Sequence, residues 1–185
     1  MAFLATLTLV GGVSASLFGD CEMAARHIRD PRAAFEWLGA GITGIAAIVA
    51  AFQIHARGRT SLRRATPLLV FAIWQIGTIY LCHDIPMEKP AEQILYGHGP
   101  DCFLFILAAS IPIAVALFWV LHRHRVALNG SVAALVGLGS AAAAIWLMQF
   151  FHPFEMNLGD WSIHFAAIGI VVGSATYTRH LLSGN

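Results

Sequence analysis

Charge is what this 185-residue chain has least of: 11% of its residues are Asp, Glu, Lys or Arg, against 58% hydrophobic, and its mean hydropathy is +0.71. Soluble domains carry roughly a quarter charged residues, so a water-soluble globule is excluded as the class. A net charge of +1 with no dense basic block gives nucleic acid nothing to bind directly. Cysteine is limited to Cys21, Cys82 and Cys102, with no CxxC pair and no HExxH, so the spacings that identify a zinc site are missing. There is no nucleophile elbow, phosphate loop or paired intramembrane carboxylate, and no enzyme chemistry is indicated.

What the chain does have is long apolar runs. A bilayer core of roughly 30 Å needs about 20 mostly apolar residues per helix. Runs of that kind cover 2–18, 35–54, 65–82, 102–121, 131–151 and 161–182. The loops between them leave no room for a soluble domain. The expected fold is therefore all-α: an integral membrane bundle of about six transmembrane helices, forming a single domain over residues 1–185. Residues 1–15 also resemble the apolar part of a signal peptide, with Val13-Ser14-Ala15 as its small-residue site. No Lys or Arg precedes that run, which favours an ordinary first helix.

Charge of one sign is missing from half of the loops. All ten acidic residues (Asp20, Glu22, Asp30, Glu36, Asp84, Glu88, Glu92, Asp101, Glu155 and Asp160) fall in alternate segments on one side of the expected membrane. The other side carries Arg57, Arg59, Arg63, Arg64, Arg123, Arg125 and Arg179, and no carboxylate. Lys and Arg in short loops mark the cytoplasmic side, so both termini are expected in the cytoplasm and the acidic segments outside. The chain thus reads as a multi-pass protein of a cell membrane, with the lipid bilayer as its first partner.

Packing between lipid-exposed helices depends on close approach through small residues. Gly39, Gly41 and Gly44, the Gly/Ala-rich run 132–144, and the pair Gly169 and Gly173 are the candidates. Trp37, Trp74, Trp119, Trp146 and Trp161 read as interfacial anchors. Pro112 is expected to kink its helix. Gln53, Gln75 and Gln149 read as interhelical hydrogen-bonding partners, and Glu36 as an edge residue.

The acidic face gathers the reactive side chains. Cys21, Cys82 and Cys102 lie there at similar expected depth, with His27, His83, His98, His152 and His164. Thiolate and imidazole suit a soft or borderline metal ion, which is the one cofactor class these residues suggest. The same cysteines allow a redox reading, with Cys82 and Cys102 flanking one loop and Cys21 left over. Each is also a small apolar residue near a helix end, which needs no function. On the opposite face, His122-Arg123-His124-Arg125 fits membrane topology and anionic lipid contact without further explanation.

The order of several features resembles a known family. Asp101-Cys102 leads through an apolar span to His122-Arg123-His124-Arg125, then a Gly/Ala-rich span, then Phe151-His152-Pro153-Phe154-Glu155. Earlier come Arg32-Ala33-Ala34-Phe35, Arg57-Gly58-Arg59 and the stretch from Pro67 to Trp74. This layout resembles the NrsF family of bacterial inner-membrane proteins, named for negative regulation of sigma F. The resemblance implies a polytopic anti-sigma factor that holds an extracytoplasmic-function sigma factor at the membrane and releases it under metal or redox stress. Family members typically carry a pair of cysteines; one matches Cys102, and where the second would fall this chain has His152. The sensory residues implied are Cys102 and His152, with Cys21, Cys82 and His83 beside them. Arg57, Arg59, Arg63, Arg64, Arg123 and Arg125 are the docking residues for an acidic partner surface. A small transporter or channel, or a structural membrane subunit, is the alternative class.

Overall fold

The computed structural model describes residues 29–54, 61–83, 99–150 and 158–183. These form five helices: α1 (Pro31–Gln53), α2 (Ser61–His83), α3 (Gly99–Arg123), α4 (Gly130–Met148) and α5 (Leu158–Ser183). They correspond to the second to sixth apolar runs, and no strand occurs among the described residues. The run 2–18, the first of the six expected spans, lies outside the described residues, as do both termini. Pro31–Gln53, Pro100–Arg123 and Gly130–Met148 are long and apolar enough to cross a membrane, and Ala65–Leu81 is a shorter apolar stretch.

Local chemistry sets the helix starts. The Asp30 side chain accepts a hydrogen bond from Arg32 N at 2.9 Å, and Pro31 supplies a helical φ with no amide to satisfy. Asn129 does the same for α4 by accepting from Val132 N at 2.9 Å. Pro112 sits inside α3, which runs unbroken from Gly99 to Arg123.

α4 is the centre of the bundle. Its residues from Val132 to Ala142 are buried almost without interruption, and α1, α3 and α5 pack around it. Side-chain volume explains how three helices fit. A Cβ on Gly44 would lie 3.5 Å from Ala143 N and 3.6 Å from Gly139 O, so α1 and α4 meet backbone to backbone. A Cβ on Gly137 would come within 2.7 Å of Val172 Cα on α5. Close approach of this kind increases dispersion contact where burial from lipid offers little drive.

α2 attaches differently. It packs mainly on α1, through two aromatic rings seated on glycines: the Trp74 indole on Gly39, and the Phe35 ring on Gly77. A thinner seam joins α2 to α5, where Phe71 stacks on Phe165 at 6.3 Å and Trp161 Nε1 donates to Gln75 Oε1 at 3.0 Å. α1 runs antiparallel to α2, as the contacts 35 to 77 and 39 to 74 show, and to α4, as 41 to 146 and 48 to 139 show; α2 runs antiparallel to α5 through 75 to 161 and 71 to 165, and a short turn joins α3 to α4. One end of the bundle therefore holds the starts of α1, α3 and α5 with the ends of α2 and α4.

Two packing expectations change. Trp74 is 2% exposed and mid-helix, so it is a core side chain and no interfacial anchor. Gly169 and Gly173 are exposed and an added Cβ would meet nothing within 4 Å, so this pair makes no close helix contact among the described residues. Gly137→Ala is accordingly expected to lower stability by about 1–3 kcal/mol through overpacking against backbone. Gly169→Ala should leave stability unchanged or raise it by up to about 1 kcal/mol through helix propensity. Unfolding of each variant in detergent, followed by circular dichroism, measures the contrast.

Candidate functional site

The residues singled out in the sequence fall at opposite ends of the bundle. Cys102 lies in the first turn of α3 as a free, buried thiol, within electrostatic reach of Asp160 at the start of α5. Cys82 and His83 form the last residues of α2, and their side chains are outside the described set. Cys21 and His152 also lie outside it. Among the described residues no three His, Cys, Asp or Glu side chains come together to hold a metal ion. On the docking side, Arg63 and Arg64 belong to the first turn of α2 without described side chains, and Arg57 and Arg59 fall outside the described residues. Arg123 and Arg125 are both described and exposed.

The end that holds Cys102 contains a residue the sequence reading underrated. Glu36 is 3% exposed and faces α2. Its Oε2 accepts from Trp74 Nε1 at 2.7 Å and lies 2.7 Å from the Thr78 hydroxyl, while that hydroxyl is also 2.9 Å from the Trp74 carbonyl. Trp74 and Thr78 are four residues apart, so both project from one face of α2. A buried carboxyl without such partners would be costly, and two hydrogen-bonding partners at one oxygen compensate for the lost water.

This polar cluster is not isolated. Gln75, next to Trp74, binds Trp161 on α5, and Trp161 stacks on Phe165 at 5.3 Å. Phe165 stacks on Phe71, which meets the edge of Trp74 at 6.0 Å. On the other flank Trp37 of α1 stacks on Trp146 of α4 at 5.7 Å. The buried polar side chains Glu36, Gln75, Thr78, Gln149 and His164 all lie toward this end, with Thr43, Ser110 and Ser140 near the middle. Towards the other end the buried residues are Ala51, Leu117, Leu121, Val132 and Val136. A signal in the sequence does exist for Glu36: it is an acid set within an apolar helix, and such residues normally serve a purpose.

The opposite end is built on a tight backbone turn. Val126 N donates to Leu121 O at 3.0 Å and Arg125 N donates to His122 O at 2.9 Å, which is the Schellman pattern closing α3. The motif requires a left-handed residue between them, and Arg125 supplies it with φ of 55°. Glycine is the residue that adopts this conformation freely; Arg there costs about 1 kcal/mol. Val126 packs on the cluster that includes Leu121, and Arg179 Nε donates to Leu128 O at 3.3 Å, tying the turn to α5. Arg123 lies over Trp119 at 5.5 Å from the ring centroid. His122, Arg123, His124 and Arg125 are all exposed on this braced turn.

Thr78→Val keeps the shape of the side chain and removes its hydroxyl from Glu36. A loss of about 1–2 kcal/mol is expected. Ser110→Ala, which deletes a buried hydroxyl bonded only within α3, is the comparison and should cost less in the same unfolding measurement.

Comparison with known proteins adds one finding. The family described as NrsF, negative regulator of sigma F, matches residues 1–181. No curated protein and no solved structure matches the chain. A regulator family implies a non-enzymatic role and a sigma factor as partner. With that match running over almost its whole length, from the first apolar run to the end of α5, the chain belongs to the NrsF family of negative regulators of sigma F.

Proposed function

We propose that this protein is a multi-pass anti-sigma factor of the bacterial inner membrane. It spans the bilayer about six times as a single domain over residues 1–185, with both termini in the cytoplasm. It sequesters an extracytoplasmic-function sigma factor at its basic end and responds to metal or redox stress at its polar, outward end. Family membership supports the sigma-factor partner, and three helices long enough to span support the membrane.

The observation that carries the docking side is Arg125. A residue that costs stability at its own position, on a turn otherwise built for rigidity, is expected where the side chain serves a partner. Arg123 and Arg125 are exposed at that turn, Arg63 and Arg64 belong to the first turn of α2, and Arg57 and Arg59 precede them in the sequence. In this reading the six arginines present one cationic surface to acidic side chains of the sigma factor.

On the sensing side, Cys102 is the anchor. Its thiol is buried at the polar end, where a soft metal or an oxidant would change the packing of α3. The remaining ligands or redox partners in this reading come from His152, Cys21, Cys82 and His83, whose thiol and imidazole groups suit a soft or borderline ion.

Co-purification from detergent-solubilised membranes tests the docking claim. The wild-type protein should retain a sigma factor, and the pair Arg123→Ala with Arg125→Ala should lose most of it. Arg125→Gly should melt higher, by about 0.5–1 kcal/mol of stability, and yet bind the sigma factor more weakly. Unchanged binding by Arg125→Gly would assign the arginine to topology alone. For the sensor, Cys102→Ser should blunt sigma release by metal or oxidant more than Arg123→Ala does; equal release from wild type and Cys102→Ser removes Cys102 from the mechanism.

A further inference from the structure

Three short contacts link Glu36, Trp74 and Thr78, and the two neighbours of the carboxyl bring two hydrogens to them. Trp74 Nε1 carries one and donates it to Oε2 over 2.7 Å. The Thr78 hydroxyl carries one, yet it lies 2.7 Å from Oε2 and 2.9 Å from the Trp74 carbonyl oxygen, and both of those are acceptors if the carboxyl is ionised. The single hydroxyl hydrogen would then have to be shared between two acceptors at a buried site. Placing a proton on Oε2 fills every contact. Glu36 then donates to Thr78 Oγ1, Thr78 donates to the Trp74 carbonyl, and Trp74 Nε1 donates to Oε2. The Thr78 bond to the carbonyl four residues earlier is a common choice for Thr within a helix, which leaves its oxygen free to accept.

We propose that Glu36 is a proton-binding site, held as the neutral acid, and that its proton closes the interlock between α1 and α2. The surrounding groups agree. On α1, Arg32 is one turn away and exposed. α4, which packs on the other side of α1, has no titratable side chain. On α2, Tyr80 is exposed, Cys82 and His83 fall one turn beyond Thr78 with side chains outside the described set, and Arg63 and Arg64 are at the far end. Losing the proton would place a charge among apolar rings and turn the Thr78 hydrogen from the Trp74 carbonyl toward Oε2, which opens the cycle of three bonds. Resting on the proposed anti-sigma reading, this makes α2 the helix through which the polar end reaches Arg63 and Arg64, because the protonation of Glu36 sets how α2 is bonded to α1.

Infrared spectroscopy of the purified full chain in detergent tests the proton directly and needs no sigma factor, so its outcome is independent of the docking claim. Wild-type protein at neutral pH should show a carboxylic acid carbonyl band that shifts in heavy water and is absent from Glu36→Gln. In Thr78→Val, which removes the acceptor of that proton, the band should move to higher frequency. A wild-type spectrum without such a band at neutral pH, or a band that persists unchanged in Glu36→Gln, overturns the proposal. Should Glu36→Gln fail to fold, the Thr78→Val shift decides: a band at its wild-type frequency overturns the assignment.

Discussion

The spacing between α4 and its three neighbours is the constraint from which the rest of this bundle follows. Where α1 crosses α4, Gly44 faces the backbone of Gly139 and Ala143, and where α5 crosses it, Gly137 faces the backbone of Val172. Helices that touch at the backbone cannot be re-spaced without losing dispersion contact along their whole length. α1, α4 and α5 therefore act as one rigid body, and α3 is joined to α4 by the short braced turn after Arg123. α2 stands apart from this arrangement. It is held by two rings on two glycines, by the Glu36 cluster and by a narrow aromatic seam with α5.

That division places different physics at the two ends. The polar end keeps Glu36, Gln75, Thr78, Gln149, His164 and the Cys102 thiol inside the protein, and a change of charge or covalent state there alters internal hydrogen bonding. At the basic end the buried residues are apolar and the cations are outside, on a turn whose backbone is fixed by two helix-end hydrogen bonds and the Asn129 cap. The proposed function, sensing at one end and release of a protein at the other, calls for an element that touches both. α2 has its last turns in the Glu36 cluster and its first turn at Arg63 and Arg64.

Much of the fold could be read from hydrophobic runs. The expected spans 35–54, 65–82, 102–121, 131–151 and 161–182 overlap α1 to α5, and the helices begin a few residues earlier where Asp30-Pro31 and Asn129 supply caps. The small residues of α1 and α4 were legible because their density along two runs leaves few alternatives to close packing. Gly169 and Gly173 have the same spacing and no neighbour, since a glycine pair says that a helix can approach but not which one does. Gln75 was legible as an interhelical partner, and its partner Trp161 was not. Trp74 reads as an anchor by residue type, whereas its position in the middle of α2 makes it core. Glu36 looked like an edge residue because one sequence does not reveal that Trp74 and Thr78, one turn apart on another helix, converge on a single oxygen. The left-handed Arg125 was equally hidden: Gly would have advertised the turn, and Arg conceals it.

The central claim is that the braced turn at Arg125 faces the cytoplasm while the Glu36 and Cys102 end faces outward. A single cysteine placed at Arg125, with Cys21, Cys82 and Cys102 replaced by serine, can be probed with a membrane-impermeant thiol reagent on cells whose outer barrier has been opened. The account predicts no labelling until the inner membrane is permeabilised, and full labelling afterwards. Labelling of Arg125→Cys before permeabilisation would contradict the orientation, and with it the assignment of the basic end to sigma-factor docking.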